Sequence, residues 1–212
     1  MYKVNYIVAD VETGGLDCFK NPVTQIAFQI LDGVSLKEIV RYDTYIAPYD
    51  PSLYYDPKAL SYSNITLEML NSKGKNLDQA ISEICSIIQP FLTKKSSKTN
   101  VIPVGHNIPF DIGFLQECFK KAGKNFYDFF SKNSIDTSKL GQLQFMPDDS
   151  VTSVSLTNLT KKLNISLNDA HNAMKDVEAT SDVFRYYASK IRNAEASEFT
   201  SVEYSRDPSF KF

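Results

Sequence analysis

Tryptophan is absent from this sequence, and its 212 residues include only two histidines and three cysteines. The cysteines, Cys18, Cys85 and Cys118, are odd in number and form no Cys-x-x-Cys pair, which argues against a disulfide framework or a zinc site and favours a reducing compartment. The start of the chain lacks a basic-then-apolar signal region, and no apolar run is long enough to span a bilayer. We therefore expect a cytoplasmic protein without membrane contact.

The sequence also lacks an excess of positive charge. Its 23 basic and 25 acidic residues give a net charge of -2, so no global basic field points to a polyanionic partner. Weakly acidic nucleases remain compatible with this balance, because bound metal ions can supply positive charge locally. The length is ample for one well-formed core, and we find no internal repeat and no linker between domains.

The most informative stretch lies near the start of the chain. An apolar run from Tyr6 to Ala9 leads directly into Asp10 and Glu12. Strand residues two apart project to the same side, so both carboxylates would lie together at the end of a buried strand. Such a pair needs raised pKa values or a cation between its members. The simpler interpretation is a solvated acidic turn, because Thr13, Gly14 and Gly15 follow.

Hydrophobic periodicity and turn residues predict the remaining elements. Strands are expected at 23–31, 36–46 (after an Asp32-Gly33 turn), 101–104 and 134–137. Helices are expected at 64–70, at 76–92, from Pro109 after a possible Asn107 cap to an end marked by Lys120, Lys121 and Gly123, at 155–163, and from after His171 to about Ile191. Loops are expected at 47–60 and 141–153, and a basic linker at 94–100. The loop at 47–60 carries Tyr49, Tyr54 and Tyr55, which could stack on nucleobases but more often cover a hairpin edge.

Two further acids are predicted near helix starts. Asp111 lies in the first turn of one helix, and Asp176 lies close to the apolar stripe of the last helix. Each alone has a simpler explanation: Asp111 would interact favourably with the helix dipole, and Asp176 would be an ordinary acid early in a helix. The two histidines, His106 and His171, each lie within five residues of one of these acids. We expect His106 to satisfy a backbone group near its loop, and His171 to be a candidate general base.

The three acidic segments together resemble a known family. Asp10-Val-Glu12-Thr-Gly, Gly-His-Asn107-Ile-Pro-Phe-Asp111 and His171-Asn-Ala-Met-Lys-Asp176 are similar in order and spacing to the motifs of the DEDDh 3′→5′ exonucleases, the DnaQ-like group. The resemblance covers residues 4 to 190. It implies a ribonuclease H-like α/β fold, with a mixed five-stranded sheet (three antiparallel strands plus two parallel) and helices on both faces. Residues 1–191 would form the exonuclease domain and 192–212 a C-terminal tail.

The resemblance also implies roles for individual residues. Asp10, Glu12, Asp111 and Asp176 would hold two metal ions, and oxygen-only ligands favour Mg²⁺ or Mn²⁺. His171 would take the proton from the attacking water, which completes a catalytic set of five. Positions that would contact the terminal nucleotide are Val11, Thr13, Gly14, Leu16, Tyr62, His106, Asn107 and Phe110.

The expected activity is hydrolysis of nucleoside monophosphates from the 3′ end of single-stranded DNA. Action on RNA 3′ ends is an alternative, because no residue identifies a partner for the 2′-hydroxyl. A catalytically silent binding module is a further alternative, which the intact acid set disfavours, since unused buried charges cost stability. The expected partners are a single-stranded nucleic acid 3′ end, with DNA favoured over RNA, and a DNA polymerase or another replication protein.

Overall fold

A mixed five-stranded sheet forms the centre of the molecule, as predicted. The computed structural model describes residues 4–92, 100–146, 151–167 and 171–193. The strands are β1 (Asn5–Thr13), β2 (Val23–Asp32), β3 (Glu38–Tyr45), β4 (Val101–Gly105) and β5 (Ile135–Asp136). Their spatial order is β3-β2-β1-β4-β5, with β1, β2 and β3 antiparallel and β4 and β5 parallel to β1. The sheet confirms the expected ribonuclease H-like fold class.

Helices cover both faces of the sheet. The described residues contain α1 (Pro57–Ser63), α2 (Leu67–Lys73), α3 (Leu77–Ile88), α4 (Ile108–Lys121), α5 (Thr137–Phe145), α6 (Leu156–Leu163) and α7 (Ala173–Asn193). One core joins Ile7, Phe28 and the other residues of that sheet face to α3 and α4. A second core packs Val8, Ala27 and Leu31 against α7. Each fully buried large apolar side chain contributes about 1.5–3 kcal/mol, so these two layers hold the helices against β1.

The predicted loop at 47–60 is wrong over its last residues, where α1 begins. Asp56 caps this helix by accepting a hydrogen bond from the Lys58 backbone N–H, and Pro57 occupies the first helical position. Asp-Pro resembles a turn in sequence, although the same pair also starts helices. The predicted helix at 64–70 is shifted for a related reason. Asn64 ends α1 in the left-handed conformation, and Thr66 caps α2.

The predicted loop at 141–153 is also wrong at its start, because α5 continues to Phe145. Asp136 caps α5 by accepting from the Ser138 backbone N–H at 2.9 Å. The helix was hard to predict because its apolar side chains Leu140 and Phe145 pack on a small third core with α6 and α7 rather than on the sheet. The predicted strand at 134–137 is correspondingly shorter, with two residues in β5.

The other predicted elements are confirmed, with small shifts at their ends. Three predicted segments lie wholly or mostly outside the described residues. They are the basic linker at 94–100, Pro147 with the acids after it, and the tail at 192–212. Within the part of the chain that the structure describes, no helix combines the length and the apolar character needed to cross a membrane.

Candidate active site

Three carboxylates meet at the end of β1. Asp10 pairs with Ala27 of β2 and Glu12 pairs with Gln25, so both acids lie on the sheet face that α7 covers. Asp176, in the first turn of α7, brings the third carboxylate. One oxygen from each of Asp10, Glu12 and Asp176 lies within 4.8 Å of the other two. The predicted pair at the strand end is therefore part of a larger acidic site.

Asp111 approaches from the opposite face of the sheet, in the first turn of α4. Its side chain is buried, and its Oδ1 accepts a hydrogen bond of 3.0 Å from the backbone N–H of Val11. Val11 lies between Asp10 and Glu12, so this bond attaches α4 to the acidic strand end. Asp111 is outside the tight three-oxygen cluster, although its charge acts on Asp10 and Glu12.

Burial raises the pKa values of all four acids, and repulsion from neighbouring acids adds to the shift for Asp10, Glu12 and Asp111. Burial, with repulsion from Asp176 and Asp111, raises the pKa of Glu12 to about 8. Burial also raises the pKa of Asp111 to about 8, although the hydrogen bond from Val11 opposes this shift. The pKa of Asp10 lies well above its ordinary range because of burial and then the charges of Asp111, Asp176 and Glu12. Burial raises the pKa of Asp176 as well. Bound cations would remove this penalty.

The donor set fits a hard divalent cation. Every ligand offered is a carboxylate oxygen, which Mg²⁺ and Mn²⁺ prefer. Asp176 uses Oδ2 to accept a hydrogen bond of 3.2 Å from the His171 backbone N–H. Its other oxygen, Oδ1, is buried and finds no hydrogen-bond partner among the described residues. A buried acceptor without a donor is costly, and coordination to a metal ion would satisfy it.

His171 lies at the exposed edge of this site. Its backbone has a positive φ of 70°, which is uncommon for a residue with a side chain. The hydrogen bond to Asp176 holds the turn, and the imidazole ring lies 6.1 Å from the ring of Tyr62, measured between centroids. The structure therefore brings the predicted base to the margin of the carboxylate cluster and next to a predicted substrate-contacting residue.

The predicted substrate-contacting residues differ in how accessible they are. Leu16 is 88% exposed and Tyr62 is 59% exposed, and both side chains are large. Phe110 is half-buried against Phe114, and Asn107 is exposed at the start of α4. Thr13 donates from Oγ1 to the Gly15 carbonyl at 2.6 Å. Gly14 is buried and is held by Pro22 and Asp56 through backbone hydrogen bonds.

Two predicted substrate-contacting residues have internal partners instead. The side chain of Val11 is buried in the core, and its backbone N–H is used by Asp111. The His106 Nδ1 atom lies 3.1 Å from the Thr137 hydroxyl, and burial lowers the pKa of this histidine. These contacts agree with the structural role expected of His106. Among the three loop tyrosines, Tyr54 is exposed, whereas the Tyr49 hydroxyl accepts from the Val23 backbone N–H.

The sequence interpretation missed a residue that orders the loop after β1. Asn21 accepts from the Asp17 backbone N–H through Oδ1 and donates to the Tyr54 carbonyl through Nδ2, at 3.0 and 2.7 Å. Its amide also fills the space next to Gly15, where an added Cβ would lie 2.4 Å from it. Asn21 thus connects two segments: the loop that carries Leu16 and the segment that contains Tyr54. The available signal was the Asn-Pro pair, which is typical of an ordered turn.

Asp136 binds the backbone of the turn that leads into α4. Its Oδ1 accepts from the Asn107 backbone N–H at 2.9 Å, next to α4. Asn107 has a left-handed backbone with a φ of 67° and no side-chain cap bond. Asp136 therefore stabilises the turn that precedes Asp111.

Comparisons with known proteins agree with this geometry. A family model described as Exonuclease (RNase T) matches residues 7–184. A DNA polymerase III of the PolC type from Clostridium perfringens is 28% identical over 189 residues, which are 88% of this chain and 11% of that protein. A PolC-type relative from Bacillus cereus is 30% identical over 175 residues, which are 82% of this chain and 11% of that protein. The chain thus spans about a tenth of these relatives' length.

Solved structures with the same fold include exonuclease I from E. coli in complex with a dT13 oligonucleotide. It has a TM-score of 0.73 and 23% identity, over 89% of this chain and 42% of that chain. The zinc-bound form of the complex between E. coli exonuclease I and single-stranded DNA has a TM-score of 0.75 and 22% identity, over 90% and 42%. At this level of identity, the similarity establishes the fold.

The family match covers most of the chain, and the motif order, the sheet topology and the acidic site agree with it. A nuclease of this family is a hydrolase that depends on divalent metal ions. The chain therefore belongs to the Exonuclease family, as a DnaQ-like 3′→5′ exonuclease with a ribonuclease H-like fold.

Proposed function

We propose that this protein removes nucleoside monophosphates from the 3′ end of single-stranded DNA by a two-metal-ion mechanism. The observation that carries the proposal is the convergence of Asp10, Glu12 and Asp176 within 4.8 Å, with Asp111 bonded beside them. Four carboxylates at one place have no structural benefit without cations. The proposal extends to the domain organisation, with residues 1–191 as the exonuclease domain and 192–212 as a tail.

Asp10, Glu12, Asp111 and Asp176 would hold two Mg²⁺ or Mn²⁺ ions. Such ions lower the pKa of an attacking water and stabilise the oxygen that leaves the phosphodiester. The charges of the other three acids all act on Asp10, so cations held by this cluster would relieve the repulsion on it. The hydrogen bonds to Val11 and His171 would keep Asp111 and Asp176 oriented.

His171 would accept the proton of the attacking water. Its exposed position beside Asp176 leaves the imidazole free to reach a water at the scissile phosphate and then to return the proton to solvent. Tyr62 would stack on or steer the terminal base, because its ring is exposed and adjacent to His171. Leu16 and Phe110 would contact the same nucleotide, with Thr13, Gly14 and Asn107 contributing polar groups.

DNA is the favoured substrate because of what is described for similar proteins. Structures of E. coli exonuclease I hold dT13 and dA16 oligonucleotides, and the PolC-type relatives are DNA polymerases. In those relatives the matched segment belongs to a polymerase polypeptide. We therefore propose that this chain acts in the cytoplasm beside a DNA polymerase or another replication protein.

The test is cleavage of end-labelled single strands in Mg²⁺ or Mn²⁺, with matched DNA and RNA and with free or blocked 3′ ends. We expect mononucleotide release from free 3′ ends of DNA. The Asp10→Asn variant should lose more than about 100-fold in activity, since even outer-shell changes at metal sites cost 10–100-fold. The control is Asp78→Asn, an exposed acid in the first turn of α3.

Equal cleavage by the wild type and Asp10→Asn would contradict the mechanism. Release from the 5′ end, or from blocked 3′ ends, would contradict the polarity. Faster cleavage of RNA than of DNA would transfer the proposal to RNA 3′ ends, while Mn²⁺ binding without cleavage of either strand would favour a silent binding module.

A further inference from the structure

The buried and mostly apolar strand β2 contains two glutamines. All of its residues except Asp32 are buried, and most are apolar. Gln25 and Gln29 are only 1% and 3% exposed. They are four residues apart, so they project to the same face of the sheet, toward α7. A buried amide is costly unless its donor and acceptor are both satisfied, so the partners of these two side chains decide what they do.

Both glutamines make the same kind of bridge, from an acid of β3 to α7. Gln29 donates from Nε2 to Glu38 at 2.7 Å and accepts from the Ser181 hydroxyl through Oε1 at 2.7 Å. Gln25 donates from Nε2 to Asp43 at 2.8 Å and accepts from the Ala173 backbone N–H through Oε1 at 3.4 Å. The two bridges differ in the part of α7 that they hold and in the bond to it, which comes from a backbone N–H for Gln25 and from a hydroxyl, at a shorter distance, for Gln29.

Asp43 fixes the orientation of the Gln25 amide. A carboxylate accepts hydrogen bonds and an ionised one cannot donate, so only the NH₂ group of Gln25 can face it. The Gln25 carbonyl oxygen must then point toward α7, where the Ala173 N–H is one of the helix-start donors that no intrahelical carbonyl satisfies. Asp43, in the edge strand β3, therefore determines that the Gln25 carbonyl oxygen is the acceptor that faces the start of α7.

The turn that Gln25 holds is the one that carries the catalytic groups of α7. Ala173 lies two residues after His171 and three before Asp176. Gln25 is also the register partner of Glu12 in β2. One side chain thus connects the strand position opposite Glu12 to the backbone of the turn that bears Asp176. Gln29 instead binds Ser181, five residues beyond Asp176, where the apolar contacts of Val177 and Phe184 already fix the helix.

We propose that Gln25 is a positioning residue that sets the distance between Asp176 and the β1 acids, whereas Gln29 only anchors the body of α7. This inference rests on the proposed function, because it assigns Gln25 to the support of that metal site. The first turn needs such support. It follows a residue with positive φ, and its local side-chain bonds to backbone donors are long: Asp176 accepts from the His171 N–H at 3.2 Å, and Asn172 accepts from the Lys175 N–H at 3.3 Å.

The matched pair of variants is Gln25→Met and Gln29→Met in the full chain. Methionine keeps the length and unbranched shape of glutamine and removes both hydrogen bonds. We expect Gln25→Met to lower the melting temperature in EDTA no more than Gln29→Met does, because both side chains are buried with two hydrogen bonds each and the Gln29 bond to α7 is the shorter one. The Mn²⁺ dissociation constant, measured by calorimetry, should rise about 10-fold or more for Gln25→Met and less than about 2-fold for Gln29→Met, since residues that orient ligands control metal affinity.

Kinetics provide the second measurement. On single-stranded DNA, Gln25→Met should need a higher Mn²⁺ concentration for half-maximal rate, and saturating Mn²⁺ should recover most of the rate. Equal Mn²⁺ affinity for both variants would overturn the inference. If Gln25→Met does not fold, Asp43→Ala against Glu38→Ala gives the same comparison from the exposed ends of the two bridges. A wild-type protein that neither binds Mn²⁺ nor cleaves would instead overturn the proposed function.

Discussion

At the scale of single residues, the site combines groups that are costly in isolation. Asp176 has one buried oxygen without a hydrogen-bond partner in the described chain, and His171 has a backbone φ of 70°. Strained and unsatisfied groups of this kind persist where the surrounding structure holds them, and they concentrate at functional sites. The hydrogen bond between His171 and Asp176 joins the two, so the proposed base and a proposed metal ligand are positioned together.

This arrangement predicts a separable role for the His171 side chain. In His171→Asn, asparagine tolerates the left-handed backbone, so the turn and its hydrogen bond to Asp176 should remain. We expect kcat on single-stranded DNA to fall by about 10²–10⁴-fold, which is the usual contribution of a general base. The Mn²⁺ dissociation constant should stay near that of the wild type. An unchanged kcat would contradict the role of His171 as the base.

At the scale of elements, the loop between β1 and β2 acts as an ordered platform. Its backbone returns from Gly14 to Pro22 through a hydrogen bond of 2.8 Å, and Asn21 fastens it to the Tyr54 carbonyl. The exposed Leu16 therefore projects from a loop whose base is fixed on both sides. A side chain presented in this way contacts a ligand without a large cost in ordering it.

Loosening this loop should weaken substrate binding more than chemistry. Asn21→Ala removes both amide hydrogen bonds and leaves the Tyr54 carbonyl without this donor, at a cost of about 1–3 kcal/mol in the free energy of unfolding. We expect KM for single-stranded DNA to rise by about 10-fold while kcat changes little. The control is Asn71→Ala, an exposed residue of α2 whose amide bonds only its own helix. A fall in kcat with unchanged KM would count against the platform.

At the scale of the whole molecule, the sheet holds together two helices that approach from opposite faces. Packing on one face places α4 and its Asp111, and packing on the other places α7 and its Asp176. The folded core thus concentrates carboxyl groups at one strand end, where burial and mutual repulsion raise the pKa values of Glu12 and Asp111 to about 8. Bringing these acids together lowers the free energy of unfolding when no cation is bound, and it forms the proposed metal site.

The raised pKa values predict how stability depends on pH. A carboxyl whose folded pKa exceeds its unfolded value stabilises the fold fully below the unfolded pKa, and that contribution is lost as pH rises through the folded pKa. For Glu12 the loss extends from its ordinary value of 4.5 to about 8. In EDTA, Glu12→Gln should therefore melt at a higher temperature than the wild type at pH 8.5–9, by about 2–4 °C per kcal/mol relieved.

At pH 4–4.5 the two proteins should melt at similar temperatures, because the wild-type carboxyl is then protonated. Mn²⁺ at pH 7.5 should raise the melting temperature of the wild type more than that of Glu12→Gln, and its binding should release protons. Thermal scans across pH, with and without Mn²⁺, provide the measurement. A wild type that is the more stable protein in EDTA at pH 9 would show that the cluster carries no such cost.

Much of the fold could be predicted from local sequence, whereas the grouping of the four acids into one candidate site was predicted from the resemblance to the DEDDh exonucleases. Hydrophobic periodicity over a few residues predicts the strands and the long helices. The acidic residues are found from their positions within short motifs. The α1 and α5 helices were missed because short helices are stabilised by caps and by contacts with distant elements. The positions of Asn21 and Gln25 were missed for the same reason, since their partners are Tyr54, Asp43 and Ala173.

The sequence by itself determined that Asp10 and Glu12 share one side of a strand, because strand side chains alternate. It also determined that Asp111 and Asp176 lie in the first turns of helices. Only the tertiary structure decided how these acids meet. The bond from Val11 to Asp111 spans 100 residues, and the one from Ala173 to Gln25 spans 148. Such contacts depend on helices packing on both faces of one sheet, which no local pattern encodes.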